Sequence, residues 1–322
     1  VTAFTVLGHD DVVALLPMVD CIGVMRHTLI ALAGGEGLQP LRSLTRPTDL
    51  PGFMVLMPGY VPGALGAKVL GIFQGNSRVG KDPHQGLVLL LSPESGELTA
   101  ILDASAVTGI RTAAVSAVAT DALARPDARR LAVIGAGVQA RWHIPAMAAV
   151  RPLDDVVVVA RDLDRASAFA RGAAETIDAP VRAIADVAAA VRGADIVVTA
   201  TTAVEPVLRR EWLADGVHIN AVGACVPTAR ELDADTVASG LFYVDRRESA
   251  VTEAGDLVLA GLGAEHIAGE LGEVLTGAAP GRRADTDITI FESLGLAVED
   301  LAAAAFAVER AAATGRGTVV SF

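Results

Sequence analysis

The chain has 322 residues, more than one hydrophobic core ordinarily serves, so two domains are expected. Its formal charge of −12 argues against nucleic acid and anionic membranes as partners, because gripping phosphate needs a basic footprint. Two cysteines, Cys21 and Cys225, exclude a disulfide framework, and neither sits in a ligand spacing, so no metal is expected.

The longest apolar runs, such as 86–91 and 301–308, are too short to cross a bilayer. Asp10 and Asp11 stand where a signal peptide would be basic, so a cytoplasmic protein is expected. In chain order, an opening helix is expected around residues 10–33. Apolar runs at 52–57, 66–73, 86–91 and 98–103 read as strands, with Pro93-Glu94-Ser95-Gly96 joining antiparallel neighbours. The Ala-rich stretch 107–124 reads as a long helix. From Arg129 apolar strands alternate with helices, with strands expected at 130–134, 155–160, 181–183, 195–199, 218–222 and 241–244. That alternation indicates a parallel sheet covered on both faces. A last helix is expected at 296–313, before a short extended tail. The fold class is therefore α/β: a Rossmann-type doubly wound sheet plus an α+β domain formed from the N-terminus. The pattern alone leaves the last helix free to belong to either.

The strand at 130–134 runs into Gly135-Ala136-Gly137-Val138-Gln139-Ala140, which is GxGxxA at a strand-to-helix turn. Gly135 permits the tight turn, Gly137 lets backbone approach a pyrophosphate, and Ala140 lets helix and strand pack closely. The helix start offers unpaired N–H groups and a positive dipole end to phosphate. A GxGxxG match alone is weak, but strand, helix and further βα units surround this one. A dinucleotide is therefore the expected cofactor. The second strand ends in Ala160-Arg161-Asp162, where Arg161 suits a ribose 2′-phosphate. NADP(H) is favoured, while Asp162 leaves NAD(H) open.

Only two of the 26 basic residues are lysines, Lys68 and Lys81, a skew that a bias toward arginine codons would explain. Under such a bias Lys68, on an apolar strand, calls for a separate reason. Spacing alone would make Arg42 and Arg111 members of surface ion pairs, and would let the Lys68 amine reach solvent along its apolar stem.

The chain resembles the ornithine cyclodeaminase and mu-crystallin family across nearly its whole length. The resemblance rests on Gln39-Pro40-Leu41-Arg42, Gly66-Ala67-Lys68-Val69, His84-Gln85 and Thr108-Gly109-Ile110-Arg111-Thr112-Ala113-Ala114. It continues through Gly135–Ala140, Ile219-Asn220-Ala221-Val222-Gly223-Ala224, Arg230-Glu231-Leu232, Gly255-Asp256 and Ser293-Leu294-Gly295. It implies a homodimer paired through a substrate-binding domain of residues 1–116 plus 296–322, with the dinucleotide domain at 117–295. It also implies that Arg42, Lys68 and Arg111 bind a substrate carboxylate, that His84 lines the substrate pocket, and that Val222 and Gly223 meet the cofactor. Thr112 is expected at the nicotinamide or an ordered water.

One departure changes the expected chemistry. Ornithine cyclodeaminases carry an aspartate in the loop where this chain has Val222-Gly223-Ala224-Cys225. A thiol such as Cys225 cannot supply that charge beside a substrate ammonium unless its pKa is strongly lowered; a small filler at the substrate site is the expected role. The resemblance is then closest to the ketimine reductase-like branch, which reduces Δ1-pyrroline-2-carboxylate and Δ1-piperideine-2-carboxylate with NAD(P)H. Lys68, whose pKa burial beside two arginines would lower, is the first candidate proton donor, and Glu253 the second. Ornithine cyclodeaminase, an alanine-type amino-acid dehydrogenase and a non-enzymatic NADPH-binding crystallin-like protein are the competing readings.

Overall fold

The structure, a computed structural model, describes residues 3–73, 75–76, 80 and 84–321. The chain divides into two compact units, residues 1–111 with 295–322, and residues 112–294. The first division falls earlier than the expected boundary after residue 116, inside one continuous helix that serves both units.

The first unit opens with β1 (Ala3–Leu7), α1 (His9–Leu15) and α2 (Met18–Ala33). The single helix expected at 10–33 is thus two helices, bent by 82°. Pro17 is the reason: it starts α2 well but cannot continue α1. Then come β2 (Ser43–Thr45), β3 (Phe53–Val61), β4 (Ala64–Ile72), β5 (His84–Leu91), β6 (Leu98–Asp103) and α3 (Ala104–Leu123). Asp103 caps α3, its Oδ1 accepting the Ala106 N–H at 2.7 Å.

The second unit alternates strand and helix: β7 (Arg130–Ile134), α4 (Val138–Val150), β8 (Asp155–Val159), α5 (Leu163–Ala174), β9 (Val181–Ile184), α6 (Val187–Val191), β10 (Ile196–Thr199) and β11 (His218–Ala221). It continues with α7 (Ala234–Ser239), β12 (Leu241–Val244), α8 (Arg247–Glu253), α9 (Gly255–Leu259), β13 (Ile267–Glu270), α10 (Leu271–Thr276) and β14 (Thr289–Glu292). Its strands lie in the order β13-β12-β14-β11-β10-β7-β8-β9, all pairings parallel. Strand order reverses between β7 and β10, and the crevice beyond the carboxyl ends there is where such sheets bind ligands.

The chain then returns to the first unit through α11 (Ala297–Thr314) and β15 (Thr318–Ser321), which pairs antiparallel with β1. The first unit's sheet runs β15-β1-β6-β5-β4-β3-β2, with α11 lying on β3, β4 and β5 and against α2. A glycine pair makes room for that helix. Gly59 and Gly66 face each other across β3 and β4. A Cβ on Gly59 would lie 3.2 Å from the Ala297 methyl, and one on Gly66 would lie 3.1 Å from a Leu301 methyl of the helix and 2.0 Å from the Leu89 carbonyl oxygen of β5. The buried alanines at 297, 303, 304, 307 and 311 complete the close seat.

Gly66→Ala is therefore expected to destabilise the protein by about 2 kcal/mol or more. Gly23→Ala, inside α2 where a Cβ meets nothing within 4 Å, should stabilise it by about 0.5–1 kcal/mol. Urea denaturation of both variants measures the contrast.

Candidate active site

The first unit buries a cluster of four ionisable side chains. Strand β4 alternates inward and outward, which turns Lys68 toward α11, 2% exposed. Its Nζ lies 2.5 Å from Asp300 Oδ2 and donates to Thr108 Oγ1 at 3.4 Å. Arg111, from α3, donates through Nε to Asp300 Oδ1 at 2.8 Å and through Nη1 to Glu299 Oε2 at 2.9 Å. Glu299 and Asp300 occupy the first turn of α11 and are fully buried. Glu299 also accepts the Leu296 N–H at 3.0 Å, closing the helix start.

Arg42 comes from the segment before β2 and donates through Nη2 to the Gly295 carbonyl at 3.0 Å. Gln39 docks that segment, its Oε1 accepting the Val298 N–H at 3.1 Å. Gly295 serves both arginines. Its φ of +78° is left-handed, and a Cβ there would lie 2.7 Å from both Nη atoms of Arg111. The structure thus brings Arg42, Lys68 and Arg111 together, and adds two carboxylates that sequence reasoning missed.

The balance of these forces sets the charges. Burial lowers the Lys68 pKa from 10.5 to about 8, Asp300 opposing the fall while Arg111 and Arg42 add to it. Burial works to raise the Asp300 pKa, but Arg111 and Lys68 outweigh it and hold the carboxyl below its ordinary value. Three cations against two carboxylates leave one net positive charge, which suits a ligand with one carboxylate.

In the second unit, the carboxyl ends of β7 and β10 carry features that fit a dinucleotide. Gly135, at φ +124°, leaves no room for a side chain, since a Cβ would lie 2.3 Å from the Ala200 carbonyl oxygen. Gly137 is the N-cap of α4, with no side chain capping the helix, and a Cβ there would meet nothing within 4 Å. Gln139 Oε1 is buried without a hydrogen-bond partner among the described residues, and Ala140 is fully buried against the core. An open helix start, empty space over Gly137 and an orphaned amide oxygen are what a phosphate-bearing ligand would use. Arg161 is exposed just beyond β8. Asp162 caps α5, its Oδ1 accepting the Arg165 N–H at 3.0 Å, which commits one of its oxygens.

The Val222–Gly223 turn after β11 is held by a residue that the sequence reading placed in a motif but gave no role. Buried Glu231 accepts from Thr199 Oγ1 at 2.8 Å, the Thr201 N–H at 2.7 Å and the Gly223 N–H at 2.7 Å. Asp256 in turn accepts the Glu231 and Leu232 N–H groups, each at 2.8 Å. Gly223 is required by this packing, because a Cβ would lie 2.3 Å from the Thr201 carbonyl oxygen. Beside them, Glu292 ends β14, and among the described residues neither of its carboxyl oxygens nor Asp256 Oδ2 meets a hydrogen-bond donor. Burial raises Glu292 well above its ordinary value and Asp256 to about 7, and a proton on Glu292 satisfies the facing pair.

The remaining expected residues lie apart from the cation cluster or in the second unit. His84 is exposed at the start of β5 and pairs with Ile72, four residues along β4 from Lys68, or about 13 Å. Thr112 is buried in α3, Cys225 is partly buried against the second unit's core, and Glu253 ends α8. Among the described residues no group of His, Cys, Asp and Glu is arranged to hold a metal ion.

Glu292 binds its proton more tightly folded than unfolded, so its contribution to stability is full below pH 4.5 and is lost as pH rises toward its folded pKa. Glu292→Gln keeps a donor toward Asp256 without the titration. Its stability relative to the natural protein should therefore rise as pH climbs above about 4.5, followed by urea denaturation at a series of pH values.

Comparison with known proteins agrees with this architecture. The sequence profile of the ornithine cyclodeaminase/mu-crystallin family matches residues 4–315. Ketimine reductase mu-crystallin of Mus musculus is 41% identical over 272 residues, 84% of either chain. The structure of Thermococcus litoralis Δ1-pyrroline-2-carboxylate reductase, in complex with NADH and L-proline, matches with a TM-score of 0.95 at 33% identity, covering 98% of this chain and 99% of that one. An archaeal alanine dehydrogenase dimer with bound NAD matches with a TM-score of 0.94 at 30% identity over 100% of both chains. The chain belongs to the ornithine cyclodeaminase/mu-crystallin family.

Proposed function

We propose that this protein is a nicotinamide-dependent reductase of small cyclic imino acids, of the Δ1-pyrroline-2-carboxylate and Δ1-piperideine-2-carboxylate type. The observation that carries the reading is the cluster of partly buried Arg42 with buried Lys68 and Arg111, whose formal charge Glu299 and Asp300 trim to plus one. Two relatives bearing reductase names, one solved with NADH and L-proline, support it.

The residues divide the work as follows. Arg42 and Arg111 hold the substrate carboxylate, and Glu299 and Asp300 fix the plane of the Arg111 guanidinium. Fixing the carboxylate fixes the adjacent C=N carbon, so catalysis is largely positioning. A reduced nicotinamide, when bound, would supply a hydride to a C=N carbon. The Lys68 ammonium gives the ring nitrogen its proton, turning C=N into CH–NH, and regains one from solvent; Glu253 is the second candidate donor. Gly135, Ala136, Gly137, Val138, Gln139 and Ala140 cradle the pyrophosphate at the start of α4. Val222 and Gly223, tied down by Glu231, and Thr112 line the cofactor site.

NADP(H) is the favoured cofactor, because Arg161 is exposed beyond β8 while Asp162 is engaged in capping α5. The acting form is a homodimer, supported by the dimeric alanine dehydrogenase neighbour and by exposed Leu44, Met54 and Leu56 on the sheet of the first unit. The position of Cys225 favours reduction over cyclodeamination, since a thiol offers no fixed charge to a substrate ammonium.

Oxidation of NADPH and NADH, followed optically with the five- and six-membered cyclic imines, tests the reading. Rapid oxidation with either imine is expected, with no ammonia released from ornithine and slower turnover of pyruvate with ammonia. Nucleotide binding without oxidation by any imine would overturn it. Lys68→Ala should lower kcat by about 10²–10⁴-fold. Arg161→Ala should raise the KM for NADPH by about tenfold or more, with that for NADH nearly unchanged.

A further inference from the structure

Lys68 faces a conflict in its surroundings. A lysine this deeply buried, with Arg111 and Arg42 nearby, is driven to shed its proton. A proton donor must hold one at neutral pH. The groups that bear on it come from four elements. Asp300 of α11 is in direct contact, and Glu299 acts through Arg111. Arg111 and Thr108 of α3 and Arg42 of the segment before β2 complete the charged and polar surround. The Cys21 thiol of α2, its pKa raised by burial, stays protonated and adds no charge. Asp300 alone among these touches Lys68 with a negative charge.

Its geometry is that of a clamp. One carboxylate oxygen meets Lys68 Nζ at 2.5 Å and the other meets Arg111 Nε at 2.8 Å. Asp300 is therefore aimed by Arg111 and in turn aims Lys68. The first turn of α11, seated over Gly59 and Gly66, holds its backbone in place. We propose that Asp300 is a positioning residue that keeps the Lys68 ammonium charged and aimed for proton delivery. This inference rests on the reading of Lys68 as proton donor, but it concerns a residue that never touches the substrate. Asp300 spans the cluster, so the proton-donating and carboxylate-binding cations are set by one carboxylate.

The chain contains two lysines, which makes the test direct. Labelling with 15N-lysine gives two Nζ signals, and Lys68→Met assigns them. In the natural protein Lys68 is expected to titrate near pH 8. In Asp300→Asn its titration should fall by about one to three pH units, and the basic limb of the kcat profile should fall with it. Asp300→Glu keeps the charge but displaces it. There the titration should stay within about half a pH unit of the natural protein, while kcat drops about tenfold or more.

A Lys68 titration unchanged in Asp300→Asn would overturn the inference. Where Asp300→Asn fails to fold, Asp300→Glu decides: a Lys68 titration more than about one pH unit below the natural protein's overturns it. A Lys68 titration that moves while the kcat limb stays put supports the role of Asp300 on the lysine and refutes Lys68 as the proton donor. The two claims therefore fail separately.

Discussion

Two carboxylates buried side by side in the first turn of α11 set the terms for the first unit. Removing such charges from water costs several kcal/mol each, and only close, hydrogen-bonded partners offset the loss; removing one partner of such a pair typically costs about 3–5 kcal/mol. Glu299 and Asp300 therefore require Lys68 and Arg111 where they are, and the reverse holds equally. That mutual requirement needs the helix close to the sheet, which explains why Gly59 and Gly66 sit opposite each other and why α11 is built of alanines. It also needs a residue without a side chain at 295, where the Arg111 guanidinium lies over the backbone. Cations fixed in this way need little rearrangement to receive an anion, and preorganisation of this kind is what electrostatic catalysis depends on.

The second unit applies the same physics to backbone. Glu231 spends its carboxylate on two N–H groups and a hydroxyl, joining the turns after β10 and β11 at the edge where a parallel sheet binds nucleotides. Asp256 secures Glu231, and Glu292 lies against Asp256 with a proton that burial retains. Three acids thus stand behind turns that carry no charge themselves. Gly135 and Gly223 are close-packing positions, whereas Gly137 is open, so the glycines of the fingerprint do different work.

Much of this was legible in the sequence because it is local. Strands at 98–103, 130–134 and 241–244 have the expected limits, since apolar runs bounded by turn residues specify them without help from elsewhere. Lys68 stood out through the scarcity of lysine. The short strands β1, β2, β13 and β14 were not read, because their pairing partners lie far away in sequence and their own runs are too brief for a period. Pro17 was legible as a helix breaker, yet its effect was lost in the apolar stretch around it. Glu299 and Asp300 look like ordinary acids at a helix start, complementing its dipole. What makes them part of the site is contact with residues 68 and 111, and no spacing rule spans that distance.

The account comes down to where a hydride lands and what holds the substrate while it does. The most direct measurement is reduction of Δ1-pyrroline-2-carboxylate with NADPH or NADH carrying deuterium at the transferring position, with the product analysed by NMR. The account predicts proline with a single deuterium on the carbon that bears the carboxylate. Proline free of deuterium, or labelled at any other ring carbon, would contradict it.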